Sequence, residues 1–151
     1  MDLKLKKFFK RHFLKKNGLF VDLPNIKGLK ISTDSANLYK KKKRDDLCLF
    51  YFEDGANHAG VFTKSTAAAE CVKWNKLSKS NKVKFLFVNT KNANALTGKQ
   101  GFNSLKKIQK KISNQIKAKD KEFYFASTGV IGERFPVEKI EKKIPDLINK
   151  T

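Results

Sequence analysis

The sequence predicts an α/β domain in which helices cover a sheet, and three observations support that prediction. Bulky apolar runs of strand length recur at residues 47–52, 83–88 and 123–126. Stretches with apolar residues at helical spacing follow the second and third runs. The chain has 151 residues, 40% of them hydrophobic, which is enough for one domain with a real core. No internal repeat or linker divides it, so we expect one unit.

Residues 1–22 are predicted to form a basic amphipathic extension to a domain that spans residues 23–151. Apolar residues recur in the extension at helical spacing, with lysines around them: Leu5, Phe8, Phe9 and Phe13. A helix of this kind can lie on a membrane surface or act as a transit signal. Asp2 and the near absence of serine argue against a targeting signal. We expect the helix to pack on its own domain or on a partner subunit.

A basic run and two carboxylates precede the first predicted strand. Residues 24–39 lack a periodic pattern and are expected to be irregular. Residues 40–44 are all lysine or arginine, and Asp45 and Asp46 follow directly. Paired carboxylates can bind a metal or share a proton. Because these two stand between five cations and a strand, we favour charge pairing and turn formation.

The middle of the chain is predicted to contain two adjacent strands. Residues 47–52 form the first, residues 53–55 a turn, and residues 56–63 a second strand whose small residues allow close packing. Residues 66–77 are ambiguous, because their alanine-rich part favours a helix and the part that follows favours an extended chain.

The second half of the chain alternates strand and helix. Residues 83–88 and 123–126 are the strands, and the loop 89–98 is rich in asparagine, whose amide bonds to backbone groups. The helices begin near Gly101 and Pro136, and each presents one apolar stripe. The stripes consist of Leu105, Ile108, Ile112 and Ile116, and of Val137, Ile140, Ile144, Leu147 and Ile148.

Residues 126–132 form a small, glycine-containing turn directly after the last predicted strand. Backbone N–H groups that point outward from such a turn can stabilise a developing negative charge on a substrate oxygen. Thr128 adds a hydroxyl donor, and Gly129 leaves room for a substrate to approach the main chain. The same pattern is typical of a plain tight turn with a helix cap. On local sequence alone we favour that plainer interpretation.

The formal net charge of +20 suggests nucleic acid or another anionic surface as a partner. Arginine is the preferred residue for bidentate phosphate and base contacts. It occurs only at Arg11, Arg44 and Arg134. The lysines are scattered along the whole chain, which indicates solvated faces and argues against a nucleic-acid partner.

The cysteines and histidines show no pattern of a metal or catalytic site. Cys48 and Cys71 form no CxxC pair, so we expect reduced, buried thiols in a cytosolic protein. Nothing in the spacing places His12 or His58 beside either thiol. No apolar run reaches the length of a membrane span. We therefore predict no metal, no cofactor and no membrane partner.

Four short motifs follow one another along the chain. They are residues 43–47 (KRDDL), 59–63 (AGVFT), 88–98 (VNTKNANALTG) and 127–133 (STGVIGE). Each is unspecific by itself. In this order and at this spacing they resemble the ornithine acetyltransferase family, also known as bifunctional glutamate N-acetyltransferase, over about residues 28–148.

The resemblance implies a layered αββα sandwich and the transfer of acetyl from N2-acetyl-L-ornithine to L-glutamate in arginine biosynthesis. Family members cleave themselves before a threonine, which becomes the N-terminal nucleophile of the β chain. Such a threonine uses its own α-amine as base, so no histidine is required. The α chain supplies a Thr-Gly pair that forms the oxyanion hole, and Thr128 and Gly129 match it. The implied assembly is a cytoplasmic α2β2 heterotetramer with no cofactor, while acetyl-CoA stays open as another acetyl donor.

The sequence departs from the family pattern at its end. The threonine-rich substrate-contacting motif and the Ala-Thr cleavage point of the family have no counterpart before Thr151. Thr151 itself cannot serve as the nucleophile, because a C-terminal residue has no free α-amine. We therefore expect an α-chain portion with an incomplete sandwich, which holds no nucleophile and does not catalyse by itself.

Two other functions stay open at this point. The net charge suggests a basic nucleic-acid-binding protein. A self-processing aminopeptidase on the same scaffold is the second alternative. The loop 92–95 and the turn 127–129 fit the transferase better than the aminopeptidase.

Overall fold

A computed structural model describes residues 25–39, 44–78 and 80–151, so the predicted extension 1–22 lies outside the described residues. The described part is a mixed α+β fold. Its elements are, in order, β1 (Leu29–Asp34), β2 (Leu47–Asn57), α1 (Glu70–Leu77), β3 (Lys82–Asn89), α2 (Gly98–Ser113), a 3-10 helix (Asp120–Glu122), β4 (Phe123–Ser127) and α3 (Val137–Asn149).

The four strands form one sheet in the order β1-β2-β3-β4. β2 pairs antiparallel with both β1 and β3, whereas β3 and β4 are parallel. A parallel pair needs a crossover connection, and α2 lies in that connection. The carboxyl ends of β3 and β4 therefore meet at the same edge of the sheet. The loops that follow these two strands lie side by side there.

One face of the sheet forms the core with the helices. Phe85, Phe87, Phe123 and Phe125 point into it from β3 and β4 and are at most 2% exposed. The apolar stripes of α2 and α3 belong to the same buried cluster, as the 3.6-residue periodicity predicted.

The opposite face of the sheet carries a cross-strand row of half-buried residues. Ile31, Phe50, Leu86 and Tyr124 stand in register across the four strands. Each is intermediate in exposure, while the next row, on the helix side, is buried: Ser32, Leu49, Phe87 and Phe125. One helical layer on one sheet is half of an αββα sandwich, so the predicted fold class is confirmed in its incomplete form.

Two strand predictions were wrong. Residues 29–34 were expected to be irregular but form β1. The strand was not predicted because its alternation is short and interrupted by polar residues. The predicted strand 56–63 does not form. β2 continues through the expected turn to Asn57 by way of an irregularity between Tyr51 and Ala56, where Gly55 has a φ of +70°. The ambiguous segment becomes helical only from Glu70.

Asp46 organises the loop between β1 and β2. Its side chain is buried, and its carboxylate accepts hydrogen bonds from the backbone N–H groups of Ala36 and Leu38, each at 2.7 Å. The expected turn formation at the strand entrance is therefore observed. Residues 40–43 of the basic run lie outside the described residues, so the expected charge pairing stays a prediction, and Arg44 lies over the ring of Tyr39.

Candidate active site

The candidate site lies where the loops after β3 and β4 leave the sheet. Backbone hydrogen bonds extend the parallel pairing of the two strands into the loops, and an isolated bridge joins Asn92 to Val130. The bonds run from Thr128 N to Asn89 O (3.1 Å), from Val130 N to Lys91 O (2.9 Å), from Ala93 N to Val130 O (3.0 Å) and from Gly132 N to Ala95 O (3.1 Å). The two loops thus form one continuous surface around residues 128 and 129.

Thr128 and Gly129 are both exposed at this surface. The N–H of Thr128 is used inside the protein, since it donates to Asn89 O. The Gly129 N–H and the Thr128 hydroxyl have no acceptor among the described residues. Two neighbouring donors, one from the main chain and one from a side chain, are therefore free to bind an oxygen of an incoming molecule. The main-chain donor is that of Gly129 and not that of Thr128.

Gly129 is required for the contact between the two loops. Its φ is +133°, and a Cβ at this position would lie 2.2 Å from the carbonyl carbon and 2.4 Å from the carbonyl oxygen of Lys91. Only glycine avoids this overlap. The space beside its α-carbon is occupied by the neighbouring loop of the same chain. The absence of a side chain thus serves loop packing here, and the substrate access that the sequence suggested stays a prediction.

Buried asparagines hold the loops in place. Asn89 is 1% exposed, and its Oδ1 accepts a hydrogen bond from the Ser127 hydroxyl at 2.7 Å. Its Nδ2 donates to the carbonyl of Asn92 at 2.9 Å. Because a buried polar group without a partner costs free energy, these bonds fix the residue directly before Thr128.

Asn92 and Asn94 bond in two different directions. Asn92 Nδ2 donates to the carbonyls of Glu133 (3.1 Å) and Arg134 (3.3 Å), beyond the glycine turn. Asn94 Oδ1 instead accepts a hydrogen bond from the Thr97 hydroxyl at 2.7 Å, at the start of α2. The sequence predicted backbone bonding by this loop, and the bonds confirm it. Burial of the asparagines was missed, since polar loop residues are ordinarily exposed.

Large apolar side chains in both loops are exposed. Leu96, Val130 and Ile131 are 68%, 41% and 62% exposed, which is unusual for large apolar residues. Two clefts of about 440 and 400 Å³ lie on the helical side and do not include Thr128 or Gly129.

The described cysteines and histidine form no competing site. Burial, followed by the charge of Asp45, raises the pKa of the Cys48 thiol to about 12, so the nucleophilic thiolate does not form near neutral pH. Cys71 is buried. His58 hydrogen-bonds the Tyr124 hydroxyl. No group of three potential metal ligands occurs in the part of the chain that the structure describes.

Two further findings concern partners. Within residues 25–39, 44–78 and 80–151, no helix has both the length and the apolar character needed to cross a membrane. α2 has no acidic residue, and its lysines are all exposed: Lys99, Lys106, Lys107, Lys110 and Lys111. An exposed lysine face of this kind is typical of a solvated surface.

The fold and the site define an α+β protein that presents two free hydrogen-bond donors at the carboxyl end of a parallel strand pair. The model of the ArgJ family matches residues 31–151. The arginine biosynthesis bifunctional protein ArgJ of Bartonella henselae is 36% identical over 127 residues, which are 83% of this chain and 31% of that protein. The protein of the same name from Bradyrhizobium diazoefficiens is 37% identical over 80% of this chain and 29% of its own length. The chain belongs to the ArgJ family, and it spans about three tenths of the length of these relatives.

Solved structures show the same fold. The arginine biosynthesis bifunctional protein ArgJ of Bacillus halodurans matches with a TM-score of 0.71 and 29% identity, over 78% of this chain and 62% of that one. Ornithine acetyltransferase of Mycobacterium tuberculosis, solved in complex with ornithine, matches with a TM-score of 0.73 and 24% identity, over 82% of this chain and 67% of that one.

Proposed function

We propose that this chain is the oxyanion-hole-bearing α-chain part of an ornithine acetyltransferase. The complete protein would move acetyl from N2-acetyl-L-ornithine to L-glutamate. Membership of the ArgJ family supports a role in arginine biosynthesis. The observation that carries the proposal is the pair of exposed donors, the Thr128 hydroxyl and the Gly129 N–H, without acceptors among the described residues.

The two donors suit the charge that develops when an amide is attacked. The hydroxyl oxygen of an N-terminal threonine adds to the acetyl carbonyl carbon, and the threonine α-amine takes the hydroxyl proton. The carbonyl oxygen becomes an oxyanion, to which the Thr128 hydroxyl and the Gly129 N–H donate. The C–N bond then breaks, and the ornithine amine leaves with the proton. The α-amine of glutamate attacks the acetyl-threonine ester by the same steps in reverse.

The nucleophile has to come from polypeptide outside this chain. The relatives are about three times longer than this chain, which leaves ample length for a β chain. The exposed Leu96, Val130 and Ile131 lie in the same two loops and would be covered by that chain. We therefore propose a partner β chain, made by autocatalytic cleavage, in a cytoplasmic α2β2 assembly. This chain by itself is proposed to be inactive.

Replacing Thr128 in the complete protein tests the role of its hydroxyl. Thr128→Val keeps the shape of the side chain and removes the donor. We expect kcat for acetyl transfer from acetylornithine to glutamate to fall about a hundred- to a thousandfold, with assembly unchanged. Thr128→Ser keeps a hydroxyl and is the matched control, which should retain most of the rate. Full activity of Thr128→Val would remove Thr128 from the site.

The same assay separates the alternative functions. Cleavage of peptides by the complete protein, with no acetyl transfer from acetylornithine, would indicate the aminopeptidase. Supplying acetyl-CoA in place of acetylornithine tests whether the complete protein accepts a second acetyl donor. We propose no cofactor for the transfer. Nucleic-acid binding through the lysine face of α2 would weaken steeply as salt is raised.

A further inference from the structure

We propose that Asn92 is a positioning residue that fixes the direction of the Gly129 N–H, an inference that rests on the proposed oxyanion role of residues 128 and 129. Asn92 is 2% exposed, so its side chain cannot reach a substrate. It acts on the site through the backbone of the turn. The family resemblance implied roles for Thr128 and Gly129 but none for the Asn92 side chain.

The Asn92 side chain joins the two loops across the glycine turn. Its Nδ2 donates to the carbonyls of Glu133 and Arg134, at 3.1 and 3.3 Å. Its Oδ1 accepts a hydrogen bond from the N–H of Asn94 at 2.8 Å. One amide thereby uses both donor hydrogens and an acceptor lone pair. Only a side-chain amide offers two donors and an acceptor in this geometry, so neither aspartate nor a hydroxyl residue replaces it.

The backbone of Asn92 contacts the turn at Gly129 itself. A Cβ on Gly129 would overlap the Lys91–Asn92 peptide, since it would lie 2.7 Å from the Asn92 nitrogen. Val130 pairs with Asn92 through the isolated bridge. The side chain of Asn92 therefore fixes the turn beyond residue 132, while its main chain fixes the turn at residues 129 and 130. The Gly129 N–H lies directly before the main-chain attachment at Val130.

The other end of the turn is attached without the Asn92 side chain. The Ser127 hydroxyl bonds Asn89, and the Thr128 N–H bonds the Asn89 carbonyl. Losing the Asn92 amide should thus leave the Thr128 end in place and loosen the contact of residues 129–134 with the loop 91–94. A misplacement of about 1 Å at a reacting group can cost about a hundredfold in rate. The fold itself does not depend on this displacement.

Asn94 provides a matched control for the loss of a buried asparagine. It is 0% exposed and lies in the same loop, but its amide bonds Thr97 and Gly101 at the start of α2. Asn94→Ala keeps the backbone N–H that Asn92 accepts. It removes comparable buried bonds on the side away from Gly129.

The experiment compares Asn92→Asp, Asn92→Ala and Asn94→Ala in the complete protein. Asn92→Asp keeps the shape and the acceptor, and so remains informative if Asn92→Ala does not fold. We expect Asn92→Asp to lower kcat at least about tenfold with KM changed less than about threefold, because ground-state contacts are retained. Asn94→Ala should lower the melting temperature by a similar amount and keep kcat within about threefold. In a Thr128→Val background, the effect of Asn92→Asp on kcat should shrink, because both act on one oxyanion.

Hydrogen–deuterium exchange measures the positioning without any substrate. Asn92→Asp should speed exchange in the peptide covering residues 127–134, and Asn94→Ala should speed it around residues 97–101 instead. Equal losses of kcat in the two variants, or unchanged exchange in residues 127–134, would overturn the proposal. If the unsubstituted protein transfers no acetyl while the exchange pattern appears as expected, the proposed function fails and the positioning of the turn stands.

Discussion

Two of the four family motifs differ in their burial and in the contacts that they make inside this chain. The motif at residues 88–98 contains three asparagines that are nearly completely buried, and their side chains bond to neighbouring backbone and hydroxyl groups. The motif at residues 59–63 is exposed throughout, and Val61 is 99% exposed. The first is organised by contacts inside this chain. The second has few internal contacts.

The hydrogen bonds show the same difference. Side-chain bonds around the exposed motif are local, such as that from the Ser65 N–H to the Thr63 hydroxyl at 3.1 Å. A longer-range contact comes from His58, just before the motif, which bonds Tyr124 on β4. The buried motif instead bonds residues about forty positions away, including Ser127 and Glu133. A motif can therefore mark either a surface fixed within the chain or one that is free to contact other polypeptide.

The largest effect is expected at the junction that the buried motif makes with the glycine turn. Gly129→Ala places a methyl group within 2.4 Å of the Lys91 carbonyl, at a φ of +133°. We expect the free energy of unfolding to fall by about 3 kcal/mol or more, since strain and overpacking add. Denaturant unfolding of the purified chain measures it.

Gly132→Ala is the matched control for that substitution. Gly132 also has a positive φ, of +80°, but nothing lies within 4 Å of where its Cβ would be. This variant should lose only the strain, about 1–2 kcal/mol. Equal losses in the two variants would show that the contact between the loops contributes nothing.

A smaller effect is expected from the hydroxyl that joins β4 to the buried motif. Ser127→Ala leaves Asn89 Oδ1 buried without this donor. The expected loss is about 1–2 kcal/mol of unfolding free energy. Ser65→Ala removes a hydroxyl that accepts only a local bond from Ala67 near the exposed motif, and should stay within about 0.5 kcal/mol. If Ser65→Ala costs as much as Ser127→Ala, the contrast between the two motifs is wrong.

The sequence predicted those parts of the fold where periodicity is strong. β3, β4 and the stripes of α2 and α3 lie where apolar spacing placed them. The last helix continues through Pro145. β1 was missed because its pairing with β2 is a long-range property that a six-residue polar alternation does not signal. In the predicted strand 56–63, Ala56 and Asn57 pair with β3 as the end of β2, and the strand stops there.

The candidate site could be predicted only in part. The motif match selected Thr128 and Gly129, and their exposure agrees with that selection without testing the chemistry. Whether the N–H of residue 128 or of residue 129 stays free depends on which acceptor lies beside each of them, and the sequence does not show these acceptors. The function of Gly129 in loop packing, and the burial of Asn92, follow from the approach of two loops that are more than thirty residues apart. Local sequence carries no signal for such a contact.

The smallest effect on this chain is expected at Val61, in the exposed motif. Its side chain is almost completely in solvent, so Val61→Ser should change the unfolding free energy of the 151-residue chain by less than about 0.5 kcal/mol. In the complete protein, a partner that covers Val61 would make the same substitution costly, because burying a hydroxyl in an apolar contact is unfavourable. Thermal unfolding of the two forms side by side measures the difference. A loss above about 1 kcal/mol in the chain itself would mean that the exposed motif is held internally after all, whereas a loss confined to the complete protein would assign it to an interface.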